Sequence, residues 1–188
     1  MWKQVLKVIL KKEAIRLSVQ VCIIFLSLFN ATLLVASGIW RDSFQSLTEI
    51  GRGTLKVFVW EVYDLTLLSE TNSFSWQNRF VLEFDYKLKL KKDEVIEASI
   101  KEMRHQRSVT SQALAKWKKY LERGIKTVEQ GTRAAVEWLP EGKIAFHYEN
   151  KAPVIIDDEL FARTFISIWL GQETSEPELR AALLGQER

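Results

Sequence analysis

The stretch TLKVFVWEVYDLTLL, residues 54–68, has no face fit for water. One side of an extended chain carries Thr54, Lys56, Phe58, Trp60 and Val62, and the other carries Leu55, Val57, Val59, Glu61 and Tyr63. A half-exposed strand alternates apolar and polar residues, so apolar groups on both sides call for cover on both faces. The alternation predicts one long strand over residues 53–68. At its entrance lies Ile50–Gly53, IGRG, with Arg52 between two glycines. RFVLEFDYKLKL, 79–90, does alternate cleanly and predicts a strand with one wet face, paired antiparallel with the first.

Helical spacing follows. Asp93 is placed to cap a helix whose Ile96, Ile100 and Met103 share a face. A second helix over 110–123 puts Leu114, Trp117 and Leu121 on one side and Lys116, Lys118 and Lys119 in solvent. RAAVEWL (133–139), PEG and KIAFHYE (143–149) read as a hairpin, and PVIID adds a short strand. Asp157 or Asp158 caps a helix with an apolar stripe of Phe161, Phe165, Ile168 and Trp169, which Gly171 ends. Ser175 and Glu178 have capping-box spacing around Pro177. Runs of strands followed by runs of helices predict an α+β domain, an antiparallel sheet with helices collected on one face.

Residues 1–38 read as an address rather than as part of that domain. A basic stretch ends at Arg16, an uncharged run extends from Leu17 to Ala36, and small residues follow. That order fits a signal peptide cut near Ala36–Gly38, or an uncleaved anchor, since about 20 apolar residues span a bilayer. Either places residues 39–188 outside the cytoplasm, periplasmic or secreted, with inner-membrane association through residues 17–36 in the anchored case. A soluble helix is the third reading of the segment.

Charge and chemistry exclude several functions. The chain's net charge of +3 comes from its first 37 residues, which hold five basic residues against Glu13; the remainder has 22 basic and 23 acidic. No basic excess marks the body for nucleic acid. Cys22 is the one cysteine, so the body has neither disulfide nor thiolate metal site. His105 and His147 lack a third ligand at metal spacing, and no metal is expected. No phosphate-binding glycine loop, Gly-x-Ser-x-Gly or zinc-protease pair occurs, and no cofactor is expected.

Three blocks, VYDLTLL, DEVIEASIKEMRHQ and FARTFISIWLGQETSEPELRAALLG, resemble the bacterial chalcone isomerase-like proteins in order and spacing over residues 47–186. The resemblance implies an open-faced β-sandwich, a large antiparallel sheet backed by helices around an apolar cleft. Members of that superfamily cyclise chalcones to flavanones, and others bind fatty acids without chemistry. Of the enzyme's polar set only the arginine has a counterpart, Arg52. The threonine position falls on Phe58, the tyrosine and asparagine positions on Lys91 and Ala98, and the last hydroxyl position on Ile168, with Ser99 and Ser167 close by. Cyclisation needs donors aimed at the charge growing on the enone oxygen, and losing one commonly costs a factor of about 10² to 10³. The expectation is therefore a non-catalytic binder of a small apolar or planar acidic ligand, a fatty acid or phenolic. In it Arg52 holds the acidic head and Tyr63 and Tyr86 line the cleft. An intramolecular lyase of the chalcone isomerase type and a structural partner at the inner membrane are the alternatives. Each candidate also has a plain reading: Arg52 paired with Glu49, and Tyr63 and Tyr86 as strand aromatics of the core.

Overall fold

The computed structural model describes residues 39–106 and 109–186. The expected signal or anchor, residues 1–38 with Cys22, lies outside them. A short helix α1 (Ile39–Asp42) leads into β1 (Thr48–Val57), β2 (Trp60–Ser69) and β3 (Phe80–Tyr86). Helices α2 (Lys92–His105) and α3 (Ser111–Gly124) follow, then β4 (Arg133–Leu139), β5 (Lys143–Tyr148) and β6 (Val154–Asp157). Helices α4 (Glu159–Leu170) and α5 (Pro177–Leu183) complete the order. The strands form one antiparallel sheet in chain order, β1 to β6. This is the expected α+β, open-faced arrangement.

The long first strand is in fact two. Residues 53–68 fold back on themselves at Phe58 and Val59, so that Val57 pairs with Trp60. Phe58 takes a left-handed φ of 57°, where asparagine or glycine is the usual choice. With aromatic and β-branched residues in the turn, strand alternation ran through it unbroken.

One sheet face carries the main core. Leu55, Leu65, Leu67, Phe80, Leu82, Phe84, Trp138, Ile144 and Phe146 project toward the helices and are buried. They meet Ile96 and Met103 of α2, Leu114, Trp117 and Leu121 of α3, and the α4 stripe of Phe161, Phe165, Ile168 and Trp169. Trp138 stacks on Phe80 at 6.1 Å, and its indole N–H donates to the Trp76 carbonyl at 3.0 Å. Asp158 caps α4 by accepting from the Phe161 N–H at 3.0 Å, and Lys116 bonds the same carboxylate at 2.8 Å, tying α3 to α4.

Two expected caps differ. Asp93 lies in the first turn of α2, not at its cap; Glu94 instead accepts from the Lys91 N–H at 3.2 Å. The Ser175–Glu178 box does not form either. Glu176 is the N-cap of α5, and the Ser175 hydroxyl donates to the buried Glu102 carboxylate at 2.8 Å. A buried carboxylate oxygen needs a donor more than a solvated helix end does.

The opposite face is partly covered by α1 and the segment after it. Trp40 and Phe44 pack with Val81 and Ala135 into a small second core. Beneath them the buried His147 and Glu137 share a 2.8 Å hydrogen bond, and Glu137 also accepts from Arg79 at 2.6 Å. Burial opposes ionisation of Glu137, but the bonds from His147 and Arg79 outweigh it and hold the carboxyl below its ordinary range.

Candidate functional site

The two tyrosines expected at the cleft sit side by side on the helix-facing side of the sheet. Tyr63 and Tyr86 are register partners on β2 and β3. Their rings are 5.8 Å apart and edge-on, and Phe84 stacks beside Tyr86. Above them the Trp169 indole N–H of α4 donates to the Tyr63 hydroxyl at 2.9 Å. Ser99 and Val95 of α2, Ile125, Tyr148 and Phe165 close the other sides. The Ser99 hydroxyl is committed to the Val95 carbonyl at 2.8 Å.

What they enclose is a narrow apolar slot of about 40 Å³, room for one or two waters. No carboxylate or imidazole lines it. Burial raises all three tyrosine hydroxyls. Tyr148 is pushed up to about 12, an effect its hydrogen bond from the Lys126 N–H (3.1 Å) only partly offsets. Tyr63 is raised by burial despite the donation from Trp169, with Glu176 and Glu102 adding to the rise. Tyr86 lies well above its ordinary value through burial and then the nearby Tyr148 and Tyr63. At neutral pH the slot therefore presents protonated phenols, which position polar groups but do not supply a base.

Arg52 is elsewhere. On β1, Gly51 and Gly53 point at the helices while Arg52 between them points to the opposite face. It is 70% exposed and bound to Glu49 through Nε at 2.7 Å and Nη2 at 2.5 Å. It borders a polar groove of about 440 Å³ on that face, with Arg41, Asp64, Glu83 and Arg133. The glycines flanking it serve packing. A Cβ on Gly51 would stand 2.2 Å from the Ala182 carbonyl oxygen, and one on Gly53 2.7 Å from Leu179 Cδ1, so both let α5 lie against β1. The structure thus unites Tyr63 with Tyr86 and separates both from Arg52.

Lys126, half-buried in the segment after α3, also lines the slot, where its backbone N–H donates to the Tyr148 hydroxyl. Its Nζ donates to the Arg123 carbonyl at 3.3 Å. Lys126 has no sequence signal of its own. Lys126 follows the last turn of α3, and its position depends on that helix crossing the sheet. Tyr148 read only as a strand residue, although its alternation with Phe146 places it on the inner face.

A family model for chalcone isomerase-like proteins matches residues 44–185. The chain belongs to the chalcone isomerase-like family. Among solved structures, this chalcone isomerase-like chain is similar to a fatty-acid binding protein of Arabidopsis thaliana. The match has a TM-score of 0.58 at 12% identity, covering 75% of this chain and 88% of that one. At that identity the likeness is one of fold. No curated protein matches the chain by sequence. The positions matched to the enzyme's polar set, Arg52, Phe58, Lys91, Ala98 and Ile168, all lie outside the slot's lining, whereas the neighbouring Ser99 belongs to it.

Proposed function

We propose that this chalcone isomerase-like protein is a non-catalytic binder of a slender apolar ligand with an acidic head, held between the sheet and helices α2 and α4. The observation that carries the reading is the lining of the slot: aromatic and aliphatic walls, three neutral phenols and Lys126 at the edge. The apolar tail would lie along Phe84, Val136, Phe146 and Phe165. The carboxylate or phenolate would meet Lys126 and the hydroxyls of Tyr148 and Tyr86. Fatty-acid binding by the Arabidopsis protein of the same fold supports this ligand class. At about 40 Å³ the slot is smaller than such a ligand; its entry requires α2 and the 125–128 segment to move outward, a population shift that ligand binding drives. The uncharged run 17–36 supports action outside the cytoplasm, free or tethered to the inner membrane.

Titration of the purified protein with palmitate and with a hydroxycinnamate, followed by tryptophan fluorescence, tests the reading. Saturable binding of at least one is expected. Lys126→Met should weaken it by about tenfold, the scale of one charge-assisted hydrogen bond, and Arg52→Ala should leave it unchanged. No saturable binding to either, or a loss with Arg52→Ala alone, refutes the site. Turnover of chalcone, seen as loss of its absorbance, refutes the non-catalytic part.

A further inference from the structure

The described surface carries five large apolar side chains, and three of them are consecutive. Phe58 is 59% exposed, Val59 87% and Trp60 47%, together at the tip of the β1–β2 hairpin. Ile155 and Leu160 stand singly, as surface apolar residues ordinarily do. The hairpin also holds Phe58 in the left-handed region to make a two-residue turn, a place where a bulky side chain is disfavoured and glycine would be relaxed. At its base Lys56 and Glu61 pair at 3.0 Å, so the tip is apolar and electrically neutral.

The tip stands at a telling end of the sheet. Pairing of β2 with β3 stops at Tyr63–Tyr86, whereas β1–β2 pairing runs on to Val57–Trp60. At the same end, Tyr148 leads into the β5–β6 turn. Trp40 of α1 borders one concavity with Asn150, Lys151 and Pro153 of that turn. The chain therefore joins the body at Ile39 from the end at which the hairpin projects. Three residues earlier lies Ala36, the end of the uncharged run, a tether of about 10 Å at full extension. A bilayer holding residues 17–36 would face this end.

The size of the tip favours lipid over protein. Its three side chains offer roughly 350 Å² between them, well short of the roughly 800 Å² per side of a specific protein interface. Insertion into lipid needs no complementary surface, and tryptophan and phenylalanine suit the boundary between headgroups and acyl chains. The geometry points to a bilayer-docking loop, with Phe58, Val59 and Trp60 entering the membrane surface at the end of the sheet from which the leading segment joins the body. Because the tip is neutral, docking depends on lipid packing rather than on anionic headgroups.

The test uses the full chain with Cys22→Ser, reconstituted at about one copy per vesicle of phosphatidylethanolamine and phosphatidylglycerol. An environment-sensitive fluorophore is placed at Val59→Cys, or at Asn72→Cys in the exposed loop at the opposite end of the sheet. At position 59 we expect a blue-shifted signal. Quenching by spin-labelled lipid should be at least about threefold stronger, and quenching by iodide correspondingly weaker, than at position 72, as interfacial depth requires. The difference should persist in vesicles of neutral lipid. Phe58→Ser with Trp60→Ser should bring position 59 back toward the values at 72. Equal iodide access at the two positions overturns the proposal. So does shielding that appears only at high protein-to-lipid ratio, which would assign the tip to a protein contact.

Discussion

Replacing Gly51 by alanine separates the two meanings of IGRG. If the glycines exist so that α5 can press against β1, Gly51→Ala must be costly whatever the protein binds. The added methyl would stand 2.2 Å from the Ala182 oxygen, 2.8 Å from the Leu183 oxygen and 3.0 Å from the Gly185 nitrogen. All three are backbone atoms, so no rotamer relieves the clash and the helix must withdraw, loosening Leu179 and Leu183. Overpacking of this kind costs about 1–3 kcal/mol, and a clash with rigid backbone belongs at the upper end. Alanine recovers about 0.4–1 kcal/mol by restricting the unfolded chain. The net loss is about 2 kcal/mol, a fall in Tm of about 4–8 °C for a chain of this size. Gly53→Ala should cost less, because its nearest neighbour, Leu179 Cδ1 at 2.7 Å, is the end of a flexible side chain. Arg52→Ala, an exposed pair with Glu49, should stay within about 1 kcal/mol. Urea and thermal unfolding of the three variants by circular dichroism measure the order. Gly51→Ala indistinguishable from the parent, or less damaging than Arg52→Ala, would refute the packing account.

Tyr63→Phe removes the acceptor of the buried Trp169 N–H and should cost about 1–3 kcal/mol in urea unfolding. Acid should act through Glu137, whose folded pKa lies below its ordinary 4.5. Its contribution is complete above that value and disappears as pH falls through the folded pKa, so Glu137→Gln should flatten stability between about pH 5 and pH 3. Alkali acts with the opposite sign through the tyrosines. Unfolded phenols ionise near pH 10 while Tyr148 holds its proton to about 12, so stability falls from pH 10 upward, by about 2–3 kcal/mol for Tyr148 alone at pH 12. Absorbance at 295 nm should show that phenol ionising late, together with those of Tyr63 and Tyr86.

Most of the architecture was legible because its signals are local. The stripes of α3 and α4, the Asp158 cap and the 133–148 hairpin with its glycine turn each follow from residues within one or two turns of one another. The first hairpin was not legible, since Phe58 and Val59 carry the period of a strand through a bend and no turn residue marks it. Ser175 misled for a related reason: a box spacing is local, but Glu102, 73 residues away, takes its hydroxyl. At the site, the parity of β2 and β3 was enough to bring Tyr63 and Tyr86 together. For Arg52 the same parity, counted against its glycines, puts it on the other face. Glycines that admit a ligand and glycines that admit a helix look alike until the helix is in place. Lys126 could be found only once the crossing of α3 over the sheet was known.

The seating of α5 on β1 joins the two ends of the domain. Strands laid down in chain order pair with their neighbours in sequence, and only β3–β4 pairing has to close over two helices. The bare backbone at Gly51 and Gly53, however, is made well before its cover, residues 177–183. During translation, β1 keeps an open side until residues 177–183 arrive. A polypeptide ending before Pro177 would still possess every sheet pairing, yet leave that side uncapped and ready to adhere to another molecule.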